Sequence, residues 1–148
     1  MISFPDSGTS QNWAPPVDQF AVAVADALAG IVGPADVSPQ VFVIDSYNPG
    51  TNISVPNLSF STTTVRAAFI KYALYRTTSS TSAYEAGTLT AVYNTAGGVW
   101  DLGQQFVGNG QFSFTMTNVG QIQITTNTLA GINHQGKLGY SATALLNT

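Results

Sequence analysis

Few side chains in this sequence could do chemistry. His134 is the single histidine, there is no cysteine, and the acidic residues are Asp6, Asp18, Asp26, Asp36, Asp45, Glu85 and Asp101. Without cysteine neither a thiolate zinc site nor a disulfide framework is possible. A lone histidine in the segment Gly131 to Gly136, with no carboxylate cluster beside it in sequence, supplies neither a metal set nor a nucleophilic triad. The carboxylates are scattered singly, so paired-carboxylate glycoside hydrolysis would require the fold to bring two of them together. Gly108, Gly110 and Gly120 sit between strand-like runs and open no helix, so no phosphate or dinucleotide loop is present, nor a nucleophile elbow. The expectation is a protein without catalytic residues, cofactor or metal, working through surfaces.

Candidate binding side chains follow from that expectation. Arg66 and Lys71 lie in one apolar run without a local acidic partner and are candidates for contact with acidic groups of another chain. Tyr75 and Tyr84, flanked by neutral polar residues, are candidates for stacking on a sugar. Glu85 is expected opposite Arg76, as a cross-strand ion pair at the mouth of a Ser- and Thr-rich loop over residues 77–84.

The stretch that must position these groups runs from Arg66 to Thr126 and reads as five consecutive antiparallel strands. Turns anchor the registers. Gly108-Asn109-Gly110 as a three-residue hairpin loop sets Phe106 opposite Phe112, and Asn118-Val119-Gly120 sets Met116 opposite Ile122 and Phe114 opposite Ile124. A turn over Thr95 to Gly98 sets Tyr93 opposite Trp100 and Ala91 opposite Leu102, while the Ser/Thr loop sets Leu89 opposite Tyr72. One face then collects Ile70, Tyr72, Leu74, Leu89, Trp100, Phe106, Phe112, Phe114, Ile122 and Ile124. The other carries Thr88, Thr90, Asp101, Gln105, Ser113 and Thr115. Such alternation marks an antiparallel sheet with one face on a core.

Around this meander the chain divides into an arm and helix over residues 1–36 and a β-sandwich over residues 37–148. Residues 1–16 read as an extended arm with isolated aromatics at Phe4 and Trp13. Val17 to Ile31 reads as the single helix, with Phe20 and Val24 on its apolar face and Gly33-Pro34 as its stop. Phe4, Trp13, Phe20 and Val24, with Arg66 and Lys71, are the expected subunit or capsid contacts. Val37 to Pro39 reads as a linker and Val41 to Tyr47 as a strand. Asn48-Pro49-Gly50 reads as a turn, and Ile53 to Phe60 as an edge strand interrupted by Pro56. Leu138, Tyr140, Ala142 and Ala144 alternate as a last strand. The fold class is all-β, an antiparallel sandwich of jelly-roll-like form with one N-terminal helix and an extended arm.

At 148 residues the chain suffices for one domain that buries roughly 70% of its unfolded surface. Charged residues are only 7% of it, against roughly 25% in ordinary domains, a deficit that points to surface covered by other subunits. A formal net charge of -3 with no basic patch argues against a nucleic-acid partner. The apolar run Phe20 to Ile31 contains Asp26 and is too short to cross a bilayer, so no membrane partner is expected. Met1 to Asp6 has neither the basic start nor the apolar core of a secretory signal.

The segments Ala68 to Arg76, Glu85 to Asn94, Trp100 to Gly108 and Gly120 to Thr125, in that order, resemble a beta domain of tailed-bacteriophage virion proteins. Similar stretches occur at tail-fibre tips and in proteins of the particle surface. The resemblance spans about 60 residues and implies a non-enzymatic structural protein, commonly a homotrimer, on the phage particle after assembly in the host cytoplasm. The chain lacks shaft repeats and extended heptads. With its arm it fits best a capsid decoration or cement protein partnered by the major capsid protein or other virion proteins. The alternative is a tail-fibre or tail-appendage module that recognises a receptor glycan.

Overall fold

The computed structural model describes residues 33–147. The expected arm and helix, with Phe4, Trp13, Phe20 and Val24, lie outside the described residues.

The described chain is built of antiparallel strands: β1 (Val37–Val43), β2 (Gly50–Ser59), β3 (Val65–Thr77), β4 (Ser82–Asn94), β5 (Val99–Asn109), β6 (Phe112–Met116), β7 (Gln121–Thr126) and β8 (Gln135–Leu146). They form a five-stranded sheet in the order β1-β8-β3-β4-β5 and a three-stranded sheet in the order β2-β7-β6. Ile70, Leu74, Leu89 and Leu138 from the large sheet share one core with Val55, Leu58, Ile122 and Ile124 from the small one, each at most 2% exposed. Burying such a side chain contributes roughly 1.5–3 kcal/mol. The last strand alternates as expected, with Leu138, Tyr140 and Ala142 buried and Ala144 half-buried.

Several expected registers are present: Tyr93 faces Trp100, Ala91 faces Leu102, Phe114 faces Ile124 and Met116 faces Ile122. The β3–β4 register differs by two residues, since Leu89 faces Ile70 and Tyr72 faces Gly87. An even shift leaves every side chain on its expected face. Its cause is a tighter turn than the expected loop. The Thr78 amide bonds the Thr81 carbonyl at 2.8 Å, and the Thr78 hydroxyl accepts from the amides of Ser80 and Thr81, so pairing begins at Thr77 and Ser82.

The single continuous meander is not what forms. The sequence Gly108-Asn109-Gly110 makes no hairpin; β5 stays in the large sheet, and the chain crosses at Gly110 and Gln111 into the small sheet. Gly108 takes φ +94 and Gln111 φ 58, and Gly110 is buried with Leu74 and Phe112 against it. In one flat sheet the aromatic face would stay bare. The crossing instead lays Phe112 and Phe114 edge-on to Tyr72 of the opposite sheet, at centroid distances of 6.0 and 4.7 Å. Phe106 is left at the rim, 54% exposed, instead of in the core. Val37 to Pro39, expected as a linker, belongs to β1 and pairs along β8 with a register break between Val37 and Gln40. β2 is an edge strand as its Pro56 predicts. Asn57 at φ 61 bulges it so that both Val55 and Leu58 turn inward.

Candidate functional site

Two features stand out from the core: a buried polar cluster at one end of the sandwich, and the outward face of the five-stranded sheet. The cluster is centred on Arg76, which is fully buried. Strand alternation puts it inward after Tyr72 and Leu74. All five of its N–H donors are used. Nε donates to His134 Nε2 at 3.1 Å, and Nη1 donates to the carbonyls of Gly110 at 3.1 Å and Gln111 at 2.8 Å. Nη2 donates to Asn48 Oδ1 at 3.0 Å and to the Asn127 carbonyl at 2.7 Å. The guanidinium thereby ties the β1–β2, β5–β6 and β7–β8 connections to the end of β3. Burial pulls its pKa below the usual arginine value.

The expected ion pair with Glu85 is absent. Glu85 faces Leu74, two residues from the expected partner, and is buried in its own set of donors. Its Oε2 accepts from the Tyr72 hydroxyl at 2.6 Å and from Gln104 Nε2 at 3.0 Å, and its Oε1 accepts from the Gly110 amide at 3.1 Å. Gly110 thus stands between the two charges, its N–H on the carboxylate and its C=O on the guanidinium. The Tyr72 phenol is held far above its ordinary range by burial first, then by its bond to Glu85. This is internal scaffolding, and it fixes the β5–β6 crossing.

His134 belongs to the same scaffold. Accepting at Nε2 from Arg76 places its proton on Nδ1, which donates to the Asp45 carbonyl at 2.8 Å. Asp45 in turn holds the Gly136 amide through Oδ1 at 2.8 Å. Among the described residues no group of three His, Cys, Asp or Glu side chains is gathered to hold a metal ion.

The outward face is organised by cross-strand rows. At one end the row runs Val43, Lys137, Tyr75, Tyr84 and Asn109 across all five strands. Tyr75 and Tyr84, picked from the sequence as separate candidates, are therefore direct cross-strand neighbours, 55% and 65% exposed. Beside Tyr75 a depression of about 400 Å3 is lined by Asp45, Thr77, Gln135, Gly136 and Lys137. The next row runs Val41, Gly139, Ala73, Ala86 and Val107, a strip of small side chains between two exposed valines. Its Val41, Gly139 and Ala73 line a second depression, bordered by Lys71 and Ser141. Lys71 stands on this face between Ser141 and Thr88. Arg66, near the far end, donates from Nη2 to Asn147 Oδ1 at 3.0 Å. The fold thus brings Lys71, Tyr75 and Tyr84 onto one surface and keeps Arg66 at its margin. Sequence reasoning missed Val41, Val43 and Val107 as surface groups; only the sheet order, with β1 and β5 at its edges, makes them part of this face.

No family model matches the chain, and no curated protein matches it in sequence. Among solved structures it is similar to the crystal structure of the Acinetobacter phage vB_ApiP_P1 tailspike protein, with a TM-score of 0.46 and 11% sequence identity. The match covers 72% of this chain and 22% of that one.

Proposed function

We propose that this chain is a non-enzymatic structural protein of a phage particle, a capsid decoration or cement protein that binds and stabilises the outer head as a homotrimer. The observation that carries the proposal is the outward face of the five-stranded sheet. Val41, Val43, Tyr75, Tyr84, Val107 and Leu145 are each between 51% and 82% exposed on it, and its strands turn outward only Arg66, Lys71, Asp101 and Lys137 as charged groups, with Asp45 beside them at the rim. Exposed apolar rows separated by neutral polar side chains and few charges make the kind of mixed surface that a protein partner covers. Three of the four segments of the phage resemblance fall on β3, β4 and β5 of the sheet that carries this face, and the fourth on β7 of the smaller sheet behind it.

Rebinding to particles that lack the protein tests the reading. Wild-type protein should saturate heads, and Val41→Glu combined with Tyr84→Glu should cut occupancy by about tenfold or more while the domain stays folded. Full occupancy by the double variant would remove the face from the account, and no binding by the wild type would remove the decoration role.

A second reading is favoured by one particular geometry, the Tyr75–Tyr84 pair beside the depression lined by Asp45, Gln135 and Lys137. Adjacent exposed rings next to hydrogen-bonding side chains suit a glycan, as in a receptor-binding tail module. That reading requires the isolated protein to bind host cells or lipopolysaccharide and Tyr84→Ser to abolish the binding.

A further inference from the structure

Each sheet has two edge strands, and the edges are unequally guarded. β1 carries Pro39 and a register break, while β2 carries Pro56, two register breaks and left-handed residues at Asn52 and Asn57. Proline and bulges of this kind stop another strand from adding to an edge. β6 is only five residues long. β5 is different: it spans 11 residues, pairs with β4 without a register break, contains no proline, lysine or arginine, and has Asp101 as its single charge. Among the described residues nothing pairs with its outer edge.

β5 and β6 are also the edges of their sheets on the same side of the sandwich, because the short crossing at Gly110 and Gln111 joins them. Between them the core is open. Phe106 is 54% exposed, and Leu102, Phe112, Phe114 and Met116 are only half-buried. An unguarded edge and an apolar seam therefore coincide.

We infer that this open side, the outer edge of β5 together with the seam between β5 and β6, is where copies of this chain meet. The inference rests on the homotrimer reading above and assigns its interface. The dimensions set its scale. At roughly 3.4 Å per residue the β5 edge is about 37 Å long and the β6 edge about 17 Å, so with sheets about 10 Å apart the open side is on the order of 500 Å2 per copy. Divided between two neighbours this is less than the roughly 800 Å2 each partner gives to one standard interface, so the three contacts of a closed ring hold it together jointly. Composition fits the assignment: an almost uncharged wall offers nothing to a charged partner, and it brings no like-charge clash when identical copies approach. Around a threefold axis the β5 edge of each copy faces the β6 edge of the next, so both free edges find partners and the ring closes.

Light scattering on the full chain tests this. Wild-type protein at micromolar concentration is expected at the mass of three chains, Phe106→Lys at the 15.5 kDa of one chain, and the control Ile132→Lys, at a loop residue 70% exposed, at three chains again. Hydrogen exchange on the wild type supplies a readout that needs no variant: of the amides of residues 99–109, the alternate ones that point away from β4 should be protected in the associated state and lose protection on dilution to single chains, while those bonded to β4 stay protected throughout. A three-chain mass for Phe106→Lys, or fast exchange of the outward-pointing β5 amides in the associated state, would overturn the inference. A wild-type single chain would overturn it too, and protection of those outward-pointing amides in that single chain would mean that another part of the same chain covers the edge. Occupancy on particles is read separately, so failure here leaves the decoration role to its own test.

Discussion

Replacing Arg76 by methionine keeps most of the side-chain volume and removes all five donors. The acceptors left behind are the carbonyls of Gly110, Gln111 and Asn127, Asn48 Oδ1 and His134 Nε2. Hydrogen bonds from a charged donor contribute roughly 1.5–3 kcal/mol each, so the gross loss is on the order of 7–15 kcal/mol. Relief from desolvating the guanidinium offsets several kcal/mol of that, and water reaches the partly buried acceptors. The net destabilisation should be about 3–5 kcal/mol, the size seen when one partner of a buried charged contact is removed. For a domain of this size that corresponds to a fall in Tm of roughly 12–20 °C. Arg76→Lys should recover only part of it, because an ammonium has three donors and cannot span both sides of the cluster. Urea unfolding followed by circular dichroism gives the number, with an unchanged m-value marking a stability effect. A loss under about 1 kcal/mol for Arg76→Met would refute the reasoning, since that is what an exposed cross-strand ion pair contributes.

Three other outcomes follow from the same structure. Burial raises the pKa of both Tyr72 and Tyr140, so the folded state keeps both phenols protonated where the unfolded chain releases them; stability should hold up to pH ~10 and fall above it, with two tyrosinates absorbing at ~295 nm only as the chain unfolds. Gly120→Ala should cost about 3 kcal/mol or more, because its Cβ would overlap the Phe60 carbonyl oxygen at φ +94, whereas Gly98→Ala, at φ +66 with open space around it, should cost about 1 kcal/mol; thermal melts compare the two. Deleting residues 1–16 should abolish attachment to heads and leave the melting transition of the sandwich in place, and full occupancy by the truncated protein would exclude the arm from binding.

Alternation carried most of the fold that can be read from the sequence. It put Ile70, Leu74, Leu89, Ile122 and Ile124 on one face, and the structure buries each of them. It also put Arg76 and Glu85 on that face, in step with Leu74 and Leu89. Pairing the two charges across a surface loop overrode that signal. What alternation cannot show is which sheet a strand joins. Phe112 and Phe114 pack equally well as neighbours of Phe106 in one sheet or as a lid over Tyr72 from a second. The choice is made by long-range contacts such as Arg76 to Gly110 and Glu85 to Gly110, which no local pattern encodes. The outward face was legible in part: Tyr75 and Tyr84 were visible as candidates, but their adjacency depends on a two-residue register set by the Thr78 turn. Sheet order was not legible, and with it neither the exposure of Val41 and Val107 nor the unguarded edge of β5.

The decoration role itself is tested most directly by locating the protein on intact particles. An antibody raised against residues 33–147 and followed by electron microscopy of purified phage should label the outer head at regular positions. Labelling confined to the tail would move the protein to the receptor-binding reading, and particles with neither label nor this chain in their protein complement would contradict a virion role altogether.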